Sequence, residues 1–347
     1  MEVLHTDQSR ADLSRFSYSA SRDVLRVRDL SVNFRLDQHP ESSVVKQVSF
    51  AIAHSEIVGL LGESGCGKTT TALAILQLLP PSAHIISGVI DFHGENLLNL
   101  GANRLREIRG FQISMIYQDS SALNPVMRVG DQIMEVLRAH RRMTVAQMRD
   151  EVISVLEALS FEDCDRIFRS YPHQLSGGQR RRIAIAQALV CKPRLVIADE
   201  PTAWLDSNTA SEVLAVFTHL RNLYETAFLL ISHDPDTLTV ADRILVMYAG
   251  QIVESGTHQE VFDQPKHPYA RVLLQCSAYT PAQNFGARRH RLPCISGRAP
   301  DPYESLSGCC FASRCSDRME NCDSRQPELI AISTDRSVRC FKYGDGA

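Results

Sequence analysis

Apolar residues in this chain fall into short runs that change period along the sequence. From Val24 to about Ile52, β-prone runs flank a polar stretch, Asp37 to Ser43, which predicts strands joined by a loop. Glu56 to Leu61 predicts a short apolar strand. A helix is expected from about Lys68 to Leu79, stopped by Pro80 and Pro81. Gly88 to Gly94 alternates and then turns, which predicts another strand. Leu105 to Arg169, rich in Arg, Glu, Leu and Met, reads as mostly helical. Beyond it the pattern predicts a helix from about Gln179 to Val190, a strand from Leu195 to Ala198, a helix over Thr209 to Tyr224 and a strand from Phe228 to Ile231. Ile244 to Met247 and Gln251 to Glu254 form an expected hairpin around Ala249-Gly250. Strands alternating with helices imply an α/β fold with a largely parallel sheet covered on both faces. From about Ala278 onward Pro, Gly, Arg and Cys dominate and the periodicity fades, so a domain boundary is expected near Cys276.

A length of 347 residues accommodates one large domain and a smaller one. The formal net charge of -3 lacks the basic footprint of a nucleic-acid binder. No apolar run approaches the roughly 18 residues that span a bilayer. Met1 to Asp23 lacks the apolar middle of a secretory signal, and is expected to be a partly disordered lead-in to a cytoplasmic protein. Of the 10 cysteines, Cys309, Cys310, Cys315, Cys322 and Cys340 crowd the tail, whereas Cys66, Cys164, Cys191, Cys276 and Cys294 are scattered. In a reducing compartment such crowding suggests a metal site more than disulfides.

Two segments carry recognisable chemistry. Gly62-Glu63-Ser64-Gly65-Cys66-Gly67-Lys68-Thr69, followed by Thr70, fits G-x-x-x-x-G-K-[ST] between an expected strand and an expected helix. Its glycines let backbone N–H groups face phosphates, and the helix N-terminus adds positive potential. Lys68 can reach the β- and γ-phosphates and Thr69 can hold Mg²⁺. The loop by itself says only nucleotide, since kinases and GTPases share it. Leu195 to Glu200 is an apolar strand ending in two carboxylates. Asp199 can position Mg²⁺, and Glu200, pointing the other way, can polarise a water for attack on the γ-phosphate. The plainer reading is a solvent-exposed strand end.

Leu175-Ser176-Gly177-Gly178-Gln179 precedes an Arg-rich helix, and with it the chain resembles the ATP-binding subunits of ABC transporters over about Val24 to Cys276. Gln118 matches that family's Q-loop, Ala203 to Asp206 its D-loop and His233 its switch histidine. The resemblance implies a P-loop ABC-type ATPase domain with a mostly parallel core sheet, an antiparallel β subdomain and a helical subdomain. It implies that Gly62 to Thr70, Gln118 and Asp199 bind ATP, with Mg²⁺ held through Thr69, Gln118 and Asp199. Catalysis would fall to Glu200, His233, Lys68 and Gln118. Ser176, Gly177, Gly178 and Gln179 would meet the γ-phosphate of ATP held on another subunit, and Asp206 would carry signals across that interface. Trp204 stands where the family has Ala, and the stretch Gln118 to Pro125 is about one residue short, which puts interface packing and membrane contact in question. For stacking on adenine, Phe34 is the nearest candidate, with the loop to His39 as the alternative and a core Phe as the plainer reading. The run Arg180 to Arg182 reads as a solvated or domain-bridging face, and Arg288 to Arg291 as a solvated linker.

Leu123-Asn-Pro125, Tyr171 to Gln174 and His267-Pro-Tyr-Ala270 resemble the oligopeptide/dipeptide import group, as does the tail from Leu292 to Cys315. Three parts follow: a lead-in over 1–23, an ATPase domain over 24–276 and a small Cys-rich C-terminal extension over 277–347. Four thiolates on a loop-rich segment suit an iron–sulfur cluster or zinc. The resemblance favours a [4Fe–4S] cluster on Cys309, Cys315, Cys322 and Cys340, with Cys310 extra. It also implies two transmembrane permease subunits, a second and different ATP-binding subunit, and an extracytoplasmic solute-binding protein. The expected location is peripheral, on the cytoplasmic face of the plasma (inner) membrane. The competing expectation, a soluble ABC-type ATPase acting on nucleic acid or ribosomes, lacks a second ATPase domain, long inserted arms and positive charge.

Overall fold

The computed structural model describes residues 23–35, 41–118, 123–276, 295, 297–301, 303–304 and 306–344. The expected lead-in therefore lies outside the described residues except for Asp23, as do Cys294 and Arg288 to Arg291.

Strands β1 (Asp23–Phe34) and β2 (Ser42–Ala53) pair antiparallel, and both precede β3 (Ile57–Leu61). Helix α1 (Lys68–Ile75) follows, then β4 (Ala83–Phe92) and the short β5 (Glu95–Asn96). Together β2-β1-β4-β5 make a four-stranded antiparallel sheet. Helix α2 (Ala102–Ile108) leads into β6 (Ile113–Ile116), and helices α3 (Val129–His140), α4 (Val145–Ala158) and α5 (Cys164–Arg169) pack on one another and on α6 (Gly177–Leu189). The chain then alternates through β7 (Leu195–Asp199), α7 (Ser207–Tyr224) and β8 (Ala227–Ser232), and reaches the hairpin β9 (Arg243–Tyr248) and β10 (Gln251–Thr257). Helices α8 (His258–Asp263) and α9 (Pro268–Gln275) follow. The tail contributes α10 (Asn321–Ser324), β11 (Ile330–Ala331) and β12 (Ser337–Val338).

The second sheet has eight strands in the order β11-β12-β10-β9-β3-β8-β7-β6, of which β9, β3, β8, β7 and β6 run parallel. Its central strands are apolar on both faces. Val196, Ala198, Phe228, Leu230 and Ile244 face one core with α3 to α7. Leu195, Ile197, Leu229, Ile231 and Leu245 face the other, shared with the antiparallel sheet. A strand buried on both sides has no polar face, which is why these segments read as unbroken hydrophobic runs.

Three expectations need correction. The first helix ends at Ile75, a turn short of Leu79. Gln77 turns to a left-handed φ of 50°, and the Arg109 guanidinium donates to the carbonyls of Leu76 and Gln77, both at 2.7 Å. That Arg caps the helix end from afar, so the helix stops before the prolines can act. The strand expected at Gly88 begins at Ala83. The segment expected to be mostly helical contains β6, the edge strand of the core sheet, whose four residues are too few to set a period.

The tail joins the larger domain as a continuation of its sheet. β12 pairs antiparallel with β10 through Glu254↔Val338 and Ser255↔Ser337. Beneath this junction the fully buried Glu254 carboxylate takes hydrogen bonds from the Arg336 guanidinium (2.7 Å) and the His267 backbone N–H (2.7 Å). Removing one partner leaves a buried charge alone. Glu254→Ala is therefore expected to destabilise the full chain by about 3–5 kcal/mol. Urea unfolding checks this, and an unchanged midpoint contradicts it.

Candidate functional site

The parallel strands β3, β8 and β7 present their carboxyl ends on one edge, and each hands the chain to a polar segment there. In open α/β sheets that edge is where ligands bind. Leu61 at the end of β3 leads into Gly62 to Thr69. The curl of this loop depends on its glycines. A Cβ on Gly62 would lie 2.3 Å from the Met247 carbonyl oxygen, and one on Gly67, at φ 108°, would lie 2.8 Å from that of Val44. Lys68 is buried, and its ammonium donates to the carbonyls of Gly62 (2.7 Å) and Glu63 (3.0 Å). The loop is thus closed around its own lysine, with α1 opening at Lys68.

Asp199 and Glu200 leave β7 in different directions. Asp199 Oδ2 accepts from the Thr69 hydroxyl at 2.7 Å, joining the acidic strand end to the loop. Burial raises the Asp199 carboxyl above the usual range, against the lowering effect of that hydrogen bond. Glu200 sits at a left-handed φ of 47° and is buried. Its carboxylate accepts from the Ser232 hydroxyl (2.9 Å) and from the backbone N–H of His233 (3.0 Å), and it lies 2.7 Å from His233 Nδ1. With Glu200 ionised, Nδ1 carries the proton and Nε2 is left toward solvent on a half-exposed ring. Lys68 in its loop, the Thr69–Asp199 pair and the Glu200–Ser232–His233 group thus gather at one edge as three hydrogen-bonded sets, and the solvent-exposed strand-end reading of Asp199 and Glu200 fails because both are buried.

Among the described residues, Gln118 is tied to this edge through its backbone. Its side chain is exposed, and its carbonyl accepts from Arg181 at 3.3 Å. Residues 119–122 lie outside the described residues, so the shortened stretch after Gln118 is not seen whole. Of the run Arg180 to Arg182, expected to be a solvated or domain-bridging face, Arg181 is not solvated and does bridge. It is buried, and its guanidinium donates to the carbonyls of Tyr117 (2.7 Å), Glu200 (2.6 Å) and Pro201 (2.7 Å). One cation on α6 thus holds the ends of β6 and β7. A run of three arginines carries no signal that the middle one turns inward. The helix also opens on a capping box, where the Ser176 hydroxyl accepts from the Gln179 N–H (3.2 Å) and the Gln179 side chain accepts from the Ser176 N–H (3.0 Å). Ser176 and Gly177 are exposed there. The D-loop side chain Trp204 is 93% exposed, with φ 65°. Phe34 packs half-buried against the second core, as the plainer reading has it, and His39 lies outside the described residues.

In the tail, Cys309, Cys315, Cys322 and Cys340 line one small cavity, walled by Phe311, Ala312, Pro327 and Phe341. Cys310 does not line it, and its thiol donates to Gln251 on β10 at 3.6 Å. Burial raises the thiols of Cys315, to about 11, and of Cys340. None of the nine described cysteines forms a disulfide. Among the described residues, no three His, Cys, Asp or Glu side chains are grouped to hold a metal ion.

The ABC transporter family matches residues 45–203, and the family described as oligopeptide/dipeptide transporter, C-terminal region, matches residues 253–322. The chain is 40% identical over 321 residues to the dipeptide transport ATP-binding protein DppD of Bacillus subtilis, covering 92% of this chain and 94% of that one. It is 38% identical over 323 residues to the oligopeptide transport ATP-binding protein OppD of Escherichia coli, covering 92% and 93%. Among solved structures, cbiO1 from Clostridium perfringens, part of an ABC transporter complex, superposes with a TM-score of 0.61 at 25% identity, covering 70% of this chain and 92% of that one. The ATP-binding cassette MJ0796, solved as a dimer bound to ADP and Pi, shares the fold with a TM-score of 0.61 at 24% identity, covering 67% and 98%.

The raised Asp199 carboxyl sets a pH dependence. A folded-state value above the unfolded one means the folded chain holds the extra proton, so the contribution of this group to stability falls as pH rises through its folded value. Asp199→Asn cannot ionise and keeps an oxygen for Thr69. The nucleotide-free variant is expected to melt at or above the parent temperature at neutral pH, with an advantage that shrinks toward about pH 4. Scanning calorimetry checks it, and a variant less stable at neutral pH than at pH 4 relative to the parent contradicts it.

Proposed function

We propose that this chain, which belongs to the ATP-binding proteins of ABC transporters, uses ATP hydrolysis to drive uptake of di- or oligopeptides, or a related small solute, across a membrane. It is an ABC ATPase. The observation that carries the chemical reading is the constellation at the carboxyl ends of β3, β7 and β8, where Thr69 meets Asp199 and His233 meets Glu200.

The phosphates of ATP would lie against the backbone N–H groups of Gly62 to Thr70, with Lys68 leaving its loop carbonyls for the β- and γ-phosphates. The Thr69 hydroxyl and Asp199 carboxylate, already 2.7 Å apart, are the pair that would hold Mg²⁺, with Gln118 as the third group. When bound, the ion neutralises charge on the transferred phosphoryl group. Glu200 would take the proton of the attacking water, a role its buried carboxylate can fill once ATP binding draws His233 toward the γ-phosphate. Ser176, Gly177, Gly178 and Gln179 would meet ATP on a partner subunit. The start of this helix, exposed at Ser176 and Gly177 and without a Cβ at two positions, suits an anion arriving from outside.

Peptide cargo is supported by relatives in dipeptide and oligopeptide transport that align with more than nine-tenths of the chain. On this reading the chain works with two permease subunits, a second ATP-binding chain and an extracytoplasmic solute-binding protein. Among the described residues no helix is long and apolar enough to cross a membrane, which agrees with a peripheral position on the cytoplasmic face. The net charge of -3 disfavours the alternative partner, nucleic acid.

The tail cysteines form the second part of the proposal. Four thiols around one cavity suit a [4Fe–4S] cluster, which supplies a structural cross-link between loops that have little regular structure. Cys310 stands apart from the four, turned to β10. Purification without oxygen is expected to give a brown protein with iron and sulfide in equal amounts, whereas a colourless protein with stoichiometric zinc would refute the cluster.

For the ATPase itself, Glu200→Gln in the assembled transporter is expected to retain ATP while lowering turnover by at least about a hundredfold. Persistence of hydrolysis near the parent rate would remove Glu200 from its role. Co-purification of the tagged chain from membranes should recover permease subunits, and recovery of ribosomes without them would overturn transport.

A further inference from the structure

We infer that Arg314, in the C-terminal extension, is a positioning residue for ATP binding that holds the phosphate loop from behind through Glu63. This rests on the reading that Gly62 to Thr69 binds the phosphates of ATP. Arg314 grips Glu63 with two parallel hydrogen bonds, from its two terminal nitrogens to Oε2 (2.8 Å) and Oε1 (3.1 Å). The Arg side chain is 5% exposed and that of Glu63 29%, so the pair is screened from solvent chiefly on the cationic side. Two-point pairing of a planar guanidinium with a carboxylate fixes direction as well as distance.

The grip matters because Glu63 belongs to the loop at all three of its polar points. Its carboxylate goes to Arg314, its N–H donates to the Tyr269 hydroxyl at 2.9 Å, and its carbonyl accepts from Lys68 at 3.0 Å. Arg314 also donates to the Tyr248 hydroxyl at 3.2 Å. Beneath the pair, Tyr248 and Tyr269 pack with ring centroids 4.5 Å apart, and the buried Phe311 from the extension stands edge-on to Tyr248 at 5.2 Å. Phe311 and Arg314 therefore form a brace from the tail under the loop. A second part of the extension, Ala299 to Asp301, lines a cavity together with Glu63, Ser64 and Cys66.

Two physical effects act in the same direction. The brace orders a loop whose N–H groups must point at phosphate, and ordering in advance lowers the cost of binding. The guanidinium also neutralises a carboxylate on the loop that receives a polyanion. Without Arg314, Glu63 would repel ATP at close range. Arg314 acts on the loop through Glu63, so its removal should act on ATP binding more than on the chemical step. Arg314 directly precedes Cys315, so the packing around the cysteine cavity sets the position of the brace.

The test uses the full chain for ATP binding, followed by fluorescence of an ATP analogue, and the assembled transporter for kinetics. Arg314→Ala is expected to raise the Kd and the KM for ATP by about ten- to a hundredfold while changing kcat much less. Arg314→Lys should recover part of the affinity. Glu63→Gln combined with Arg314→Ala should bind more tightly than Arg314→Ala alone, because the uncompensated charge is gone. That double variant also serves if the single one fails to fold. An unchanged KM in a folded Arg314→Ala chain would overturn the inference, as would a double variant no better than the single one. Lys68→Ala separates this from the underlying reading. If it still binds ATP as the parent does, the loop is not the ATP site. If it loses binding while the Arg314 variants keep theirs, only the brace is refuted.

Discussion

Burial of both faces of the parallel strands is the constraint from which the rest of this structure follows. Once β3, β7, β8 and β9 are apolar on either side, a charged group has no place along them. Polar chemistry is displaced to the strand ends, and the parallel direction brings those ends to one edge. The loop after β3, the carboxylates after β7 and the serine–histidine pair after β8 are neighbours for that reason, although they lie far apart in sequence.

An edge crowded with polar groups at the rim of an apolar core needs internal partners, and two buried arginines supply many of them. Arg181 reaches from α6 to carbonyls at the ends of β6 and β7, tying the helical subdomain to the acidic strand end. Arg314 reaches from the tail to the phosphate loop. Each carries a desolvation cost that only several hydrogen bonds can offset. Each also links a separate part of the fold to the polar edge at the strand ends. Burial of Asp199 has the same character, since it works against the charged form of a carboxyl placed at the end of β7.

Much of this was legible in the residues. The spacing from Gly62 to Thr69 specifies a phosphate loop, and the apolar run into Asp199-Glu200 marks a buried strand end, because both depend on local sequence. The pairing of Thr69 with Asp199 was reachable from the motifs together. Three features were not. β6 is too short to set a period, and its identity comes from pairing with β7. Arg181 looks like its neighbours Arg180 and Arg182, and only the helix rotation against β7 turns it inward. The ion pairs Glu254–Arg336 and Glu63–Arg314 join residues 82 and 251 positions apart in the chain. No local pattern predicts them, because they arise from the tail returning to extend the core sheet at β10.

The central claim is that backbone N–H groups of one loop at the end of β3 receive the phosphates of ATP, while the helix start at Ser176 serves a partner. Amide hydrogen exchange reads those N–H groups directly. Addition of ATP with Mg²⁺ to the full chain alone should slow exchange across residues 62–70 and leave residues 176–179 as they were. Protection at 176–179 should appear only when the partner ATP-binding chain is present. An unprotected phosphate loop, or protection of 176–179 in the chain alone, would contradict the account.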